Sequence, residues 1–198
     1  MMKFIKLFED WDPEEDWEEP VEGDLASSGV LLTNGFDAEG LRTGLWIDHY
    51  PGGAIQSKGH YFRGNPSGPW EFYYANGQLA GTRSYDTNGK IQGVYTQWYQ
   101  NGKLQDSSNY QNGERHGSSV RYHPNGKINS NATYSDGKMD GPYEKFYNNG
   151  QLEEEGRYIN GKQDGVWTEY DEDGELLSRT QYTEGDQIIH YDYKLRQY

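Results

Sequence analysis

The chain has 198 residues, a formal net charge of −14, 18 tyrosines, 6 tryptophans and no cysteine. Few aliphatic residues with a high net charge are typical of disordered chains, but tyrosine and tryptophan bury large areas, so we expect a folded protein with an aromatic core. The acidic balance argues against nucleic-acid binding, which needs Lys and Arg for the phosphates, and the lack of cysteine excludes disulfides and thiolate metal sites.

The first 24 residues are predicted to be an acidic arm. Residues 9–24 hold ten acidic and no basic side chains. The apolar side chains near the start of this arm that suit one face of a short helix are Phe4, Ile5, Leu7, Phe8 and Trp11. Pro13 would end that helix, because the residue before a proline avoids the helical region.

The arm has three interpretations: a solvated tail, a cap on the first hairpin, or a segment that docks on a basic partner. Aromatic rings among carboxylates favour docking, since acids speed the encounter and tryptophans anchor it. The candidate partner-binding residues of the arm are Trp11, Glu14, Glu15, Asp16, Trp17, Glu18 and Glu19.

No stretch reaches the roughly 18 apolar residues of a membrane span. Glu9 and Asp10 interrupt the start of the chain before an apolar segment of secretory length can form. We therefore expect a soluble, cytoplasmic protein.

A repeat of about 24 residues fills residues 44–198, with six units and a C-terminal fragment, after a degenerate leading unit or cap at 25–43. Positions below are counted from the framing glycine of each unit, which is Gly44, Gly68, Gly93, Gly117, Gly141 or Gly165. Position 17 is always tyrosine: Tyr61, Tyr85, Tyr110, Tyr134, Tyr158 and Tyr182. Such self-similarity indicates a repeat architecture.

Turn signals divide each unit into two strands. Asn-Gly or Asp-Gly at positions 8 and 9, as in Asn76-Gly77, predicts a tight type I′ hairpin turn. A second signal, as in Asn112-Gly113, predicts a looser turn between units. The fold class predicted is all-β: an elongated antiparallel hairpin meander in a single twisted sheet, neither a sandwich nor a closed barrel, with a short N-terminal helix or arm.

If the turn consists of the two residues at positions 8 and 9, two residues face each other across the hairpin when their position numbers add up to 17. The ring at position 2 then faces a mostly small residue at position 15, and the framing glycine faces the tyrosine at position 17, whose ring needs the space beside it. Position 6 would face the Leu or Ile at position 11 on the same, aromatic face. In the C-terminal fragment, Tyr191 falls at position 2.

One aromatic row, at position 5, falls on the otherwise polar face. This ladder consists of His49, Tyr73, Trp98, Tyr122, Phe146 and Tyr170. Its rings either stack on one another to cover the outer backbone or form an exposed surface for a partner, since Tyr and Trp are favoured interface anchors. The candidate partner-binding residues here are Tyr73, Trp98, Tyr122, Phe146 and Tyr170.

The unit, as in residues 158–170 (YINGKQDGVWTEY), resembles the MORN repeat, and more closely the bacterial MORN variant found in proteins known as antitoxins of toxin–antitoxin pairs. The resemblance covers about residues 41–191. It implies twisted hairpin arrays that serve in protein binding, scaffolding or dimerisation, sometimes at membranes. Ser119 and His123 depart from the pattern and mark either a weak point or a place where something else packs.

No catalytic or metal-binding motif stands out. The five histidines lack metal-ligand spacing such as HExxH, and no GxSxG, P-loop or GxGxxG motif occurs. Residues 171–175 (DEDGE) hint at a calcium loop, but Leu176 stands where an EF-hand needs glycine, so a hairpin turn is the better interpretation. We predict a non-enzymatic protein without metal or cofactor.

Three functions fit these features. The first is binding that neutralises or sequesters another protein, as an antitoxin, immunity protein or inhibitor does. The second is a scaffold that uses the same surface. The third, a membrane-associated repeat protein, is disfavoured by the acid excess, because anionic lipids attract Lys and Arg. The expected partner is a protein with a basic surface, and a homodimer is one way to cover the aromatic face.

Overall fold

A computed structural model describes residues 34–193. Within this range every regular element is a β-strand, and strand order in the sheet is sequence order, with antiparallel neighbours. The strands are β1 Gly35–Phe36, β2 Arg42–His49, β3 Ile55–Phe62, β4 Asn65–Tyr73, β5 Leu79–Tyr85, β6 Gly93–Trp98, β7 Leu104–Gln111, β8 Glu114–Tyr122, β9 Ile128–Ser135, β10 Lys138–Phe146, β11 Leu152–Ile159, β12 Lys162–Tyr170, β13 Leu176–Thr183 and β14 Asp186–Asp192. The all-β hairpin meander is confirmed, whereas the N-terminal arm lies outside the described residues.

Within the described residues the chain divides into two compact units, each made of several repeats: the first unit ends at residue 95 and the second begins at residue 96. In the first, β1 to β5 pair successively, and two residues of β1 pair with β2. In the second, β7 to β14 pair successively.

The predicted pairing within a repeat is confirmed for the framing glycine and the ring at position 2. Gly68 faces Tyr85, and Gly165 faces Tyr182. Trp46 faces Gly59, a residue with no side chain. A large ring therefore has a small cross-strand partner, as the sequence predicts.

The first turn is not of type I′, and this prediction is wrong. In the hairpin of Tyr74–Gln78, the amide of Gly77 donates to the carbonyl of Tyr74, and the amide of Tyr74 donates to that of Gln78, both at 2.8 Å. Gly77 has φ +83°, whereas Asn76 is not in the positive-φ region. This is a three-residue loop, a type I turn followed by glycine in the left-handed region. Asn76 instead accepts the amide of Gln78 on its side-chain oxygen at 3.1 Å.

The turn between repeats is the tight one. Both central residues have positive φ, as in Asn112 (55°) and Gly113 (89°) or Asn160 (51°) and Gly161 (83°). Two successive residues of positive φ define the type I′ turn, whose twist matches that of the flanking strands. The two turn types therefore occur in the reverse of the predicted order.

The position 11 residues lie with the ladder, which corrects a second prediction. The three-residue loop moves the pairing by one, so position 5 faces position 11: His49 pairs with Ile55, and Tyr73 with Leu79. Cross-strand partners share a face of the sheet. We call the face of positions 2, 15 and 17 the tryptophan face, and the face of positions 5, 11 and 14 the ladder face.

Four framing glycines, Gly68, Gly117, Gly141 and Gly165, each lie in a bulge of their strand. Between β11 and β12 the pairing passes from Arg157–Asp164 to Glu155–Thr168, which leaves Gly165 and its neighbour as extra residues. All six framing glycines have positive φ, from 65° to 133°. A Cβ on Gly165 would meet nothing within 4 Å. Backbone conformation, and not room for a tyrosine ring, is therefore what requires glycine here.

The last strand corrects the placement of Tyr191. The bulge between β13 and β14 has one extra residue, Ile188, whereas the junctions of β3 with β4, β7 with β8, β9 with β10 and β11 with β12 each have two. His190 therefore faces Thr180, the position 15 residue, and occupies the site of the tryptophan, while Tyr191 pairs with Arg179 on the ladder face. The hydroxyl oxygen of Thr180 lies 2.7 Å from Nδ1 of His190.

Candidate functional site

The tryptophan face holds the core of each unit. In the first unit, Trp70 is only 4% exposed, and its ring meets Tyr61 edge-on with centroids 5.1 Å apart. A Cβ built on Gly59 would lie 2.2 Å from a carbon of the Trp70 ring. The ring therefore lies flat against bare backbone of the preceding repeat, and its Nε1 donates to the carbonyl of His60 at 3.1 Å.

The second unit repeats this packing in β11 and β12. Trp167 is 2% exposed, and a Cβ on Gly156 would lie 2.3 Å from its ring. Tyr158 meets the same ring edge-on at 4.9 Å. The close approach of a ring that was predicted at the framing glycines therefore occurs at the glycines of position 15, Gly59 and Gly156.

The aromatic core is interrupted where Ser119 takes the place of the position 2 ring. Its hydroxyl lies 2.8 Å from that of Ser108, which donates to Asp106 at 2.5 Å. Because Ser108 has one hydroxyl proton, Ser119 must donate to Ser108. Asp106 also pairs with two guanidinium groups, at 3.3 Å from Nε of Arg121 and 3.5 Å from Nη2 of Arg115.

These charges border a cavity of about 390 Å³ in the second unit. The residues that line it are Gln97, Tyr99, Gln105, Asp106, Arg115, Arg121, Tyr122, His123 and Asn129. Sequence reasoning singled out Ser119 and His123 but missed Asp106, Arg115 and Arg121. Asp106 at position 13 of one repeat pairs with Arg121 at position 4 of the next. This pairing depends on the bulge at the junction of the two repeats, which the sequence pattern does not reveal.

On the ladder face of the first unit, a lysine of the chain itself is bound by a carboxylate and an aromatic ring. Lys58 lies 2.6 Å from a carboxylate oxygen of Glu71 and 5.7 Å from the centroid of the Tyr73 ring. The hydroxyl of Tyr73 donates to the same carboxylate at 2.5 Å. These hydrogen bonds raise the pKa of Lys58, and although burial acts to raise the pKa of Glu71, the bonds from Lys58 and Tyr73 outweigh it and lower that pKa.

The second unit has a carboxylate at the repeat position that Lys58 occupies in the first unit. Glu155 occupies position 14, and the hydroxyl of Tyr170 donates to it at 3.0 Å. Burial and this bond raise the pKa of Tyr170. The ladder residues with half-buried side chains are Tyr73, Trp98, Tyr122, Phe146 and Tyr170, whereas His49 is exposed. The candidate residues of the N-terminal arm, Trp11 and residues 14–19, lie outside the described residues.

Position 6 links neighbouring repeats. The hydroxyl of Tyr99 donates to the carbonyl of Tyr122 at 2.7 Å, and that of Tyr147 to the carbonyl of Tyr170 at 2.9 Å. His123 replaces tyrosine in this row, and its Nε2 lies 2.8 Å from the carbonyl oxygen of Phe146. The departure at His123 therefore keeps the bond between repeats.

Acidic residues are concentrated near the end of the described chain. Residues 139–192 hold fourteen acidic and four basic side chains, whereas residues 96–138 hold three and five. Glu154 and Glu169 face each other across β11 and β12. Burial and the neighbouring charge of Glu169 raise the pKa of Glu154.

Asp171 confirms the turn interpretation of residues 171–175. Its carboxylate accepts the amides of Asp173 at 3.1 Å and Glu175 at 2.9 Å. Between residues 34 and 193, no group of three His, Asp or Glu side chains is placed to hold a metal ion. No helix long and apolar enough to cross a membrane occurs in that same range.

The hairpins with tryptophan and tyrosine at fixed positions match a known repeat. A family model described as "MORN repeat variant" matches residues 66–86, 91–112, 115–136, 139–160 and 163–184. Repeats of this family generally mediate protein or membrane binding and are typically non-catalytic. No curated protein matches the chain. The five matched repeats cover more than half of the 198 residues, and the chain therefore belongs to the MORN repeat variant family.

Proposed function

We propose that this chain is a non-enzymatic binding protein that neutralises or sequesters a partner with a basic surface. The observation that carries the proposal is the combination of rings and carboxylates on the ladder face. An aromatic ring next to a carboxylate attracts a cation through both its π face and the opposite charge.

The first unit supplies the geometry of such recognition from its own residues. Lys58 reaches Glu71 at 2.6 Å and lies near the ring of Tyr73. At the corresponding place in the second unit, Glu155 replaces the lysine beside Tyr170. A lysine or arginine from a partner would complete the group there as Lys58 does in the first unit.

The charge distribution supports a basic partner. The ladder rings Phe146 and Tyr170 belong to the segment 139–192, which carries the acid excess. Charge of one sign on a surface raises the association rate of an oppositely charged protein and makes that rate sensitive to salt. The acidic arm, with Trp11 and Trp17, would add a second contact of the same kind.

The product of a neighbouring gene provides the test. Co-expression should relieve the toxicity or block the activity of a basic partner encoded there. Replacing Phe146 and Tyr170 together with serine should weaken that binding by about tenfold or more, because buried aromatic anchors dominate interface energies. Phe62→Ser serves as the matched control, since Phe62 is an exposed ring at a turn between repeats.

Each outcome separates the functions that remain open. Binding with no loss of partner activity would favour a scaffold over a neutralising protein. Sedimentation of the full chain with vesicles of anionic lipid would favour a membrane role. Equal binding by the double variant and by Phe62→Ser would remove the ladder from the interface.

A further inference from the structure

Position 2 is tryptophan or tyrosine in five of the six repeats, and in the fourth it is Ser119. In the repeats on either side of the gap, position 2 is Tyr95 or Tyr143. A serine there removes an aromatic ring from a row whose other members are the largest side chains of the core. The polar side chains around the gap are instead held in fixed places, and Ser108, at 1% exposure, is the most buried of them.

The charged groups at the gap are unevenly matched. Two guanidinium groups face a single carboxylate, Asp106, whose side chain is 91% buried. The ring faces of Tyr110 and Tyr134 lie 5.8 and 5.6 Å from the guanidinium carbon of Arg115, which fixes this side chain. The Nε of Arg115 is buried without a hydrogen-bond partner within the described part of the chain.

Arg121 has N–H donors that its bond to Asp106 does not use. Its bond to Asp106 uses Nε at 3.3 Å, and about half of its side chain is exposed. The other edge of a guanidinium group, with its two amino groups, matches a carboxylate in a planar fork. Gln105 and Asn129 also line this cavity, and amide side chains of this kind can bind the polar neighbours of a carboxylate.

We propose that this cavity binds a carboxylate presented as an acidic side chain by the partner protein. The two arginines and one aspartate give the site one net positive charge, which a single carboxylate neutralises. A polyanion would be repelled by the rest of the chain, whose net charge is −14. The volume of about 390 Å³ accommodates one acidic side chain with its flanking backbone.

The inference rests on the protein-binding function proposed above but not on Phe146 and Tyr170, because Tyr122 is the one ladder residue among those that line the cavity. The two proposals can therefore fail separately. A protein with Phe146 and Tyr170 replaced by serine should keep its affinity for a carboxylate. A protein altered at the cavity should keep the contribution of Phe146 and Tyr170 to partner binding.

The test is a titration of the full chain with two blocked tripeptides, acetyl-Gly-Glu-Gly-amide and acetyl-Gly-Gln-Gly-amide, followed by ¹⁵N NMR. The Nε–H signal of Arg121 and the side-chain amide of Asn129 should shift saturably with the glutamate peptide. The affinity of the glutamine peptide should be lower by about tenfold or more, because hydrogen bonds to a charged group are stronger than those to a neutral one. Equal shifts with both peptides, or no saturable shift, would overturn the proposal.

Substitutions place the effect at the cavity. Arg121→Gln should weaken glutamate-peptide binding by about tenfold, while Arg179→Gln, an arginine of the ladder face, should leave it unchanged. Equal weakening by both would show a non-specific charge effect and overturn the proposal. Free glutarate as a third ligand separates the sources: binding of glutarate without binding of the peptide would rule out a side chain as the occupant.

A second variant guards against simple loss of folding. The pair Ser108→Gly and Ser119→Trp rebuilds the packing of Gly156 and Trp167 seen two repeats later. Arg115 corresponds in the repeat to Arg42, whose guanidinium carbon lies 4.4 Å from the centroid of the Trp46 ring. The added ring should therefore lie against Arg115 and cover that side of the cavity, so this variant should melt no lower than the wild type and show no glutamate-dependent shift. A folded double variant that still binds the glutamate peptide would show that the cavity is not the site.

Discussion

Replacing Gly156 with alanine tests the core packing most directly. The added Cβ would lie 2.3 Å from the Trp167 ring, where ordinary van der Waals contact begins at 3.4 Å. The backbone of Gly156 is not in the positive-φ region, so the substitution adds no backbone strain. Its effect must come from moving a ring that is only 2% exposed.

The magnitude follows from the contacts that the Trp167 ring must give up. A shift of more than 1 Å disturbs its edge-on contacts with Tyr158 at 4.9 Å and Tyr182 at 6.4 Å. Overpacking costs roughly 1–3 kcal/mol, and an aromatic pair contributes about 0.5–1.5 kcal/mol beyond burial. We expect Gly156→Ala to lower the free energy of unfolding by about 3 kcal/mol, or the melting temperature by roughly 6–12 °C.

Thermal unfolding followed by circular dichroism provides the assay, and a second substitution provides the control. Trp167→Tyr in the Gly156→Ala background recreates the Ala132–Tyr143 partners of the neighbouring hairpin. The double variant should therefore lose less than the sum of its two single variants. A melting temperature for Gly156→Ala equal to that of the wild type, or strictly additive losses, would refute the packing argument.

Three further predictions concern single interactions. Tyr147→Phe removes the hydroxyl bond to the Tyr170 carbonyl and should lower the free energy of unfolding in urea by about 1 kcal/mol. Gly161→Ala forces a side chain to φ +83° and should cost roughly 1–2 kcal/mol, although its nearest neighbour is 3.7 Å away; no loss would contradict the type I′ turn. Because burial and Glu169 raise the folded-state pKa of Glu154, its carboxyl weakens folding as pH rises through that pKa. Glu154→Gln should therefore gain more stability over wild type at pH 7 than at pH 4, and urea midpoints at the two pH values should show it.

The architecture could be predicted because the period is visible in the sequence. Tyrosine at position 17 in six consecutive units fixes the strand pairing, and the observed partners of Gly68 and Gly165 agree with it. The turn types could not be assigned in the same way, because Asn-Gly occurs in both turns. Only the backbone angles distinguish Asn76, which takes the ordinary region, from Asn112, which takes the left-handed one.

The candidate site was predictable only in part. The ladder row follows from the period, and the gap at Ser119 is visible as a departure from it. The ion pair of Asp106 with Arg121 was not predictable, since it joins two repeats across a bulge of two residues. A bulge depends on glycine at positive φ and on tertiary twist, and neither appears in the hydrophobic pattern. The same limitation explains the error at Tyr191, where the bulge is one residue shorter.

Bonds at the hairpin loops explain how a repeat can lose its core ring and still pair with its neighbours. The side chain of Asn101 donates to the carbonyl of Pro124 at 2.9 Å, and that of Asn125 to the carbonyl of Asn148 at 2.7 Å. These bonds, with the position 6 bond that His123 keeps, join successive repeats without using the tryptophan face. Because they hold the spacing of the strands, position 2 is free to change from a core ring to a serine. Variation at that position can therefore place a buried polar cluster, here Ser119, Ser108 and Asp106, in a sheet whose framework is unchanged.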